Sequence, residues 1–343
     1  MSTATWDSAV GIARRLAGRY PLEGTYHEAR FARQAPLLVE RATALVSAET
    51  GLEAPGTPDV AVVGRAEWIE SNIESFAELM APVTDRLGEE RRLGHGIAGR
   101  IMSAELGAVL GFLSRRVLGQ YELVLPTSDG RDGDTVMFVG ANVLSMERRF
   151  EFRPAEFRFW VALHESTHRL QFQGVPWLRS YFLGLVEELV DASKPEPGRM
   201  GRLAEEFRHA AEQGRPLIDE KGLFGLLASP GQREVIDRVQ ALMSLLEGHG
   251  HVVMDRIGGR ELVSQARMSR ILASRRNDPR TAMFMRLIGL ELKMKQYEMG
   301  ARFIGGVEER AGWSALAAAW QRPSNLPTLE EIEDPVSWLY RVG

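Results

Sequence analysis

The pattern that most restricts this chain is His164-Glu165-Ser-Thr-His168, because it can form a site only if the segment is an α-helix. Residues four apart lie one above the other on the same helical face, so His164 and His168 can bind one metal ion together. Glu165 can then take a proton from the water molecule that the metal activates. The pattern therefore predicts a helix near the middle of the chain with a metal site on it.

The flanking residues predict where this helix begins and ends. Pro154 suits a first helical position, and Glu156 places a negative charge in the first turn, where it is favoured. Gly174 and Pro176 are typical of a C-cap glycine followed by a stop. The predicted helix has about 20 residues, roughly 30 Å, with the motif well inside it. The alternative, two histidines satisfied in a core and a solvated glutamate, does not explain this placement.

Composition limits the kinds of site and partner. The chain has no cysteine, which excludes disulfides, thiol nucleophiles and cysteine-type zinc sites, so histidine and carboxylate must hold any metal. The net charge is only −4 and the basic pairs are scattered among acids, which argues against a nucleic-acid partner. No apolar run reaches the about 18 residues of a membrane span, and no signal peptide is evident. We expect a cytoplasmic protein without a membrane partner.

Hydrophobic periodicity predicts a mainly α-helical chain with a small β-hairpin or sheet, an α+β fold. Four helices are expected in the first third, over residues 3–18, 27–50, 65–87 and 96–118. A short strand is expected at 60–63, and two strands at 121–126 and 135–139 flank a turn-rich polar segment. This hairpin precedes the metal helix, and an edge strand there can bind an extended peptide by strand addition.

The rest of the chain is predicted to be helical. Helices are expected over residues 177–190, 199–213, 230–257 (ended by Gly258-Gly259), 261–275, 280–304 and 313–320, before a last short helix with a Thr328/Glu331 capping box. We divide the chain into an N-terminal helical lobe (1–119), a metal-binding core (120–258) and a C-terminal helical region (259–343), within one continuous structural unit.

Two histidines leave a catalytic zinc site one protein ligand short. The extended motif H-E-x-x-H-x-x-G-x-x-H is excluded, because the chain has Gln171 and Gly174 where that motif needs glycine and histidine. The third ligand must therefore come from another part of the chain.

The best source of a third ligand is the segment 245–255. Glu247, His251 and Asp255 are spaced by four, which forms a polar strip on an otherwise apolar helix. Gly248 and Gly250 each cost a helix about 1 kcal/mol relative to alanine, a cost that is tolerated where another group must approach closely. Glu247 is favoured as the ligand, with His251 or His249 as the alternative, and Asp255 is suited to orient a ligand imidazole.

Tyr297 is the candidate for a transition-state donor. It lies among apolar turns of the segment 290–302, where a phenol needs a hydrogen-bond partner. A phenol near the scissile carbonyl would stabilise the oxyanion. The alternative is an ordinary buried tyrosine.

These residues carry a resemblance to a known family. His164-Glu-Ser-Thr-His168, followed far downstream by Leu246-Glu247-Gly-His, resembles the zincin-like metallopeptidases of the glutamate-ligand type. The position four after the glutamate, often aspartate in that type, is His251. Over nearly its whole length the chain looks more closely like an uncharacterised bacterial zincin-like hydrolase family associated with deazaflavin coenzyme biosynthesis, through three segments: Val117-Leu-Gly-Gln-Tyr121, Lys295-Gln-Tyr297-Glu and Asp334-Pro-Val-Ser-Trp338. The resemblance implies a zincin-like core with additional helices.

The leading hypothesis is hydrolysis of a peptide or amide substrate, with one Zn²⁺ per chain and Glu165 as general base. One alternative is a di-iron carboxylate bundle built from Glu165-x-x-His168 and Glu206-x-x-His209, which leaves His164 unused. Another alternative is a non-catalytic zincin-like scaffold that binds partners. The intact Glu165 argues against this scaffold.

Overall fold

The structure, a computed structural model, describes residues 3–86, 97–125, 133–192, 230–276 and 291–343. Its helices are α1 (Thr3–Ala17), α2 (Tyr26–Thr50), α3 (Arg65–Arg86), α4 (Ile97–Leu113), α5 (Gly140–Phe150), α6 (Pro154–Gly174), α7 (Leu178–Ala192), α8 (Pro230–Glu261), α9 (Gln265–Arg276), α10 (Glu291–Ala311), α11 (Leu329–Glu333) and α12 (Pro335–Val342). Its strands are β1 (Asp59–Val63), β2 (Gly119–Glu122) and β3 (Thr135–Val139). Two 3₁₀ helices span Trp313–Trp320 and Pro323–Asn325. The predicted α+β fold is confirmed.

The three strands form one mixed sheet with the order β1-β3-β2. β1 pairs with β3 in parallel, and β2 pairs with β3 antiparallel, as the hairpin prediction requires. The central strand β3 is almost entirely buried, so its apolar residues anchor the sheet in the core. Within the described sheet β2 lies at an edge. The predicted loop between β2 and β3 lies largely outside the described residues.

Two predicted boundaries near the sheet were wrong. Helix α4 ends at Leu113 rather than at residue 118, because the Asn142 side-chain amide donates to the carbonyls of Ser114 and Val117 and holds the chain in a turn. Strand β2 ends at Glu122 rather than at residue 126, because the Glu122 carboxylate accepts from the backbone N–H groups of Val124 and Leu125. In both places a side chain replaces backbone pairing.

The described chain forms two compact units. The first comprises residues 1–179 and 250–272 and contains the sheet, α1 to α6, the C-terminal part of α8, and most of α9. The second comprises residues 180–249 and 273–343 and contains α7, the N-terminal part of α8 and the helices from α10 onward. In the described residues no helix is both long and apolar enough to cross a membrane.

Helix α6 runs over the residues that the motif predicted. Arg153 is its N-cap and Pro154 stands at its start. The predicted C-cap role of Gly174 was wrong, because Gly174 is the last helical residue and Val175, with extended backbone, is the cap. A methyl carbon added at Gly174 would lie 2.6 Å from the carbonyl oxygen of Glu53. Glycine is therefore needed here for close approach of another segment and not for a left-handed turn.

Helix α8 continues beyond the Gly258-Gly259 pair that was predicted to end it, and reaches Glu261. The last turns are held to α2 by ion pairs, in which Glu49 accepts from Arg256 and Arg260, and Glu261 from Arg41. The two arginines outweigh the effect of burial and lower the pKa of Glu49. In the segment between α8 and α9, the backbone N–H and the hydroxyl of Ser264 both donate to the Glu156 carboxylate of α6. These contacts fix the end of α8 relative to α2 and α6.

In the second unit, α10 crosses α8 at two glycines. A methyl carbon added at Gly300 would lie 1.9 Å from the Ser244 carbonyl oxygen, and one added at Gly248 would lie 2.3 Å from the Gly300 carbonyl carbon. The C-terminal helices close the core of this unit through Trp338, which is fully buried against Phe303. The predicted capping box of Thr328 and Glu331 is confirmed.

Candidate metal centre

Helix α6 places the two motif histidines side by side. Their Nε2 atoms lie 3.2 Å apart, and the ring planes are nearly perpendicular, with centroids separated by 4.6 Å. Both side chains are half-buried. The two Nε2 atoms face each other, so both can bind a single cation placed beside them.

Glu247 of α8 brings a carboxylate to these imidazoles. One ligand atom from each of His164, His168 and Glu247 lies within 4.8 Å of the others. Glu247 is only 6% exposed, so this donor is largely removed from solvent. The structure therefore brings together the three residues that the sequence favoured as ligands.

The other candidates on α8 have different neighbours. His251 lies with its Nε2 3.4 Å from Asp255 Oδ2. Asp255 Oδ1 in turn accepts hydrogen bonds from Gln265 and Ser269. His249 is buried and stacks on Trp313, with Trp320 edge-on. The group of three converging ligands includes neither histidine, and Asp255 orients His251 rather than a histidine of α6.

The two glycines beside Glu247 allow close approach on different sides of α8. A methyl carbon added at Gly250 would lie 3.5 Å from ring atoms of both His164 and His168. Gly248 instead faces Gly300 of α10. The expectation that something approaches this helix closely is confirmed. One glycine accommodates the two imidazoles and the other accommodates a neighbouring helix.

Glu165 is 5% exposed, and the backbone of strand β2 lies directly against its carboxylate. A methyl carbon added at Gly119 would lie 2.7 Å from both Cγ and Oε1 of Glu165. Gly119 was not among the predicted site residues. A glycine directly before the predicted strand was visible in the sequence. Only the folded chain shows that the absence of a side chain at Gly119 makes room for the Glu165 carboxylate.

A buried polar network fixes strand β2 and the start of β3 on α6. Arg169 donates to both oxygens of Asp134, at 2.8 and 3.0 Å, and to the carbonyls of Pro55 and Gly56. Gln173, one turn further along α6, donates to the Tyr121 hydroxyl of β2. Burial raises the pKa of the Tyr121 phenol, which keeps it neutral. The network holds β2 in place, and therefore holds Gly119 against Glu165.

The donor set fits a divalent metal ion. Two imidazoles and one carboxylate are the ligands of catalytic rather than structural zinc. His168 Nδ1 lies 2.9 Å from the side-chain oxygen of Gln171, which is the arrangement that leaves Nε2 to a metal. Gln171 was not among the predicted site residues, although its position three residues after His168 places it on the same helical face.

Three predicted residues, one for this site and two for the di-iron alternative, have side chains outside the described part of the structure. The side chain of Tyr297, on α10, lies outside the described part of the structure, and so does the whole of Glu206-x-x-His209. The role of Tyr297 as a donor stays a prediction.

A mainly helical α+β fold in which an HExxH helix meets a downstream glutamate defines the zincin-like class. The chain belongs to the zincin-like metallopeptidase family, whose model matches residues 5–339. This confirms the resemblance, and the family implies a divalent metal, usually zinc. The association with deazaflavin coenzyme biosynthesis is not supported by this match and stays a prediction.

A solved structure from Chloroflexus aurantiacus, described as "a putative hydrolase with a novel fold", is similar to this chain. The two are 30% identical, the similarity covers 98% of this chain and 97% of that chain, and the TM-score is 0.71. No curated protein matches the chain. The family and this neighbour support a metal-dependent hydrolase.

Proposed function

We propose that this protein is a zinc-dependent hydrolase that cleaves a peptide or amide bond, with Glu165 as the general base. The observation that carries the proposal is the convergence of His164, His168 and Glu247 from two helices, next in sequence to a buried glutamate. Membership of the zincin-like metallopeptidase family supports the same class of reaction.

His164, His168 and Glu247 would hold the ion, which leaves the fourth position of a tetrahedral site for water or substrate. When bound, a zinc ion supplies Lewis-acid polarisation of the substrate carbonyl and lowers the pKa of water. Three protein donors are expected, because a catalytic zinc site takes three protein ligands and keeps one position open.

Glu165 supplies the proton transfers. Its carboxylate takes a proton from the attacking water and returns it to the leaving amine. Because the side chain is buried, water does not screen its charge, and the electrostatic effect of the carboxylate is larger than on the surface. The backbone of β2 limits the positions that this carboxylate can adopt.

The substrate we propose is an extended peptide or amide. Strand β2 lies at an edge of the described sheet, and its first residue, Gly119, touches the general base. A peptide that pairs with such an edge by backbone hydrogen bonds would present its own carbonyls along the strand. Tyr297 stays the candidate donor to the oxyanion.

The first experiment combines metal analysis with one substitution. Purified protein is expected to contain one zinc per chain and to cleave members of a fluorescence-quenched peptide library. Glu165→Gln is expected to retain zinc and to lower kcat by about 10²- to 10⁴-fold, the usual contribution of a general acid–base group. Glu40→Gln, the same change at an exposed position of α2, is the control and should leave kcat unchanged.

The alternatives give different results in this experiment. Two irons per chain would indicate the di-iron bundle, and a zinc-loaded protein that cleaves nothing would indicate the scaffold. Full activity in Glu165→Gln, on any substrate that the wild type cleaves, would show that the assigned mechanism is wrong. The di-iron bundle is already disfavoured by the place of His164 in the group of converging donors.

Gly119→Ala is expected to lower kcat by about 100-fold while zinc affinity stays unchanged. The added methyl carbon would overlap the Glu165 carboxylate and displace it, and a misplacement of about 1 Å can cost 10²-fold in rate. Gly140→Ala is the matched control, because its methyl carbon would lie 2.7 Å from an oxygen of Glu28, away from the metal centre. Equal kcat in both variants would contradict the positioning of Glu165 by β2.

A further inference from the structure

Gln171 is fully buried on α6, three residues after His168. Its side-chain oxygen lies 2.9 Å from His168 Nδ1, and the other ring nitrogen of His168 lies 3.2 Å from His164 Nε2. The imidazole of His168 is therefore contacted at one nitrogen by an amide and offers the other nitrogen to the group of converging donors.

The chemistry of the amide fixes where the imidazole carries its proton. A carbonyl oxygen can only accept, so His168 Nδ1 must be the N–H that donates to Gln171. A neutral imidazole has a single ring proton, which leaves Nε2 with the lone pair that binds a metal. The reverse orientation of the amide would set a donor against Nδ1 and move the proton to Nε2, where it would block metal binding. Only the first orientation agrees with the donor group.

We propose that Gln171 is a positioning residue for the metal centre, which holds His168 in the Nδ1–H tautomer and fixes the direction of its Nε2. The inference rests on the proposed metal site but not on the hydrolytic reaction. An outer-shell partner of this kind typically changes metal affinity by about 10- to 100-fold. A buried glutamine that served only to fill space would have no such effect.

The test is a competitive zinc titration against a chelator for the wild type and three variants. Gln171→Leu keeps most of the side-chain volume and removes the acceptor, and it is expected to weaken zinc binding about 10- to 100-fold. Gln171→Glu keeps an acceptor oxygen and is expected to bind zinc at least as tightly as the wild type, because a carboxylate makes a stronger, charge-assisted bond to an imidazole N–H. Gln173→Leu is the control, because Gln173 donates to Tyr121 and Gly133 instead.

The outcomes separate this inference from the proposed function. Wild-type affinity in Gln171→Leu would overturn the inference, and so would an equal loss in Gln171→Leu and Gln171→Glu. A selective loss in Gln171→Leu supports it, even if no amide substrate is ever cleaved. Failure of the wild-type protein to bind zinc would overturn the proposed function, and the inference with it.

Nitrogen-15 NMR of the imidazole groups in the zinc-loaded protein gives a second readout. The wild type is expected to show a slowly exchanging Nδ1 proton on His168, protected by the bond to Gln171. Gln171→Leu is expected to lose this protection, while Gln173→Leu keeps it. Loss of the slowly exchanging Nδ1 proton in Gln171→Leu but not in Gln173→Leu supports the tautomer assignment. A rapidly exchanging Nδ1 proton in the wild type would overturn it.

Discussion

Glu247→Ala is expected to weaken zinc binding by more than 100-fold, whereas His251→Ala is expected to cost at most about 10- to 100-fold. The difference follows from where the two side chains lie. Glu247 is one of three groups whose ligand atoms lie within 4.8 Å of each other, while His251 pairs with Asp255. Loss of Glu247 would remove a whole ligand from the site, and loss of His251 would remove only a neighbour.

Competitive titration with a chelator measures both variants on the same scale. His164→Ala and His168→Ala, which remove the ligands on α6, set the size of the effect that loss of a ligand should have. Asp255→Ala is the matched control for His251→Ala, since it removes the partner of the same imidazole. If His251→Ala lost the metal and Glu247→Ala bound it like the wild type, His251 would be the third ligand.

The parts of the site that could be predicted from the sequence are those that depend on one helix. His164 and His168 share a face because of the helical period alone, and that period operates wherever the helix is placed. Glu247 was found in the same way, as a carboxylate on the polar strip of an apolar helix. The meeting of α6 and α8 could be inferred only from the number of ligands that zinc requires.

The missed features all depend on close approach between segments that are distant in the sequence. Gly119 lies against Glu165, and Gly174 against the backbone of Glu53. A glycine has the same appearance in the sequence whether it caps a helix or makes room for a carbonyl, so Gly174 was misassigned as a cap. Gly258 was expected to end α8 for the same reason, since a glycine inside a helix cannot be distinguished from a C-cap glycine by its identity alone. Such positions can be assigned only after the neighbouring segment is known.

Gln171 is a different kind of omission. Its spacing from His168 was visible in the sequence, and residues three apart on a helix are neighbours. A glutamine in a helix is nevertheless most often solvated, and nothing local shows that this one is buried. Burial is the property that turns the contact with Nδ1 into a fixed hydrogen bond, and it depends on tertiary packing around α6.

Arg169→Ala is expected to lower the free energy of unfolding by about 3–5 kcal/mol, the usual cost of removing one partner of a buried ion pair. The Arg169 and Asp134 side chains are 1% and 3% exposed, so the substitution would remove the counter-charge of a buried carboxylate. It would also leave the carbonyls of Pro55 and Gly56 without the donor that Arg169 supplies. Urea denaturation, followed by circular dichroism, measures the loss.

A double variant separates the cost of the uncompensated charge from the cost of lost packing. Arg169→Met with Asp134→Leu replaces both charges by apolar groups, and such replacements are often neutral or stabilising. We therefore expect the double variant to recover most of the stability lost in Arg169→Ala. The network of Arg169 and Asp134 also holds β2 on α6, and β2 lies against Glu165. We therefore expect the double variant to have a lower kcat than the wild type even where its stability is recovered. If Arg169→Ala lowered the free energy of unfolding by less than about 1 kcal/mol, the level of an exposed ion pair, a stabilising buried ion pair between Arg169 and Asp134 would be contradicted.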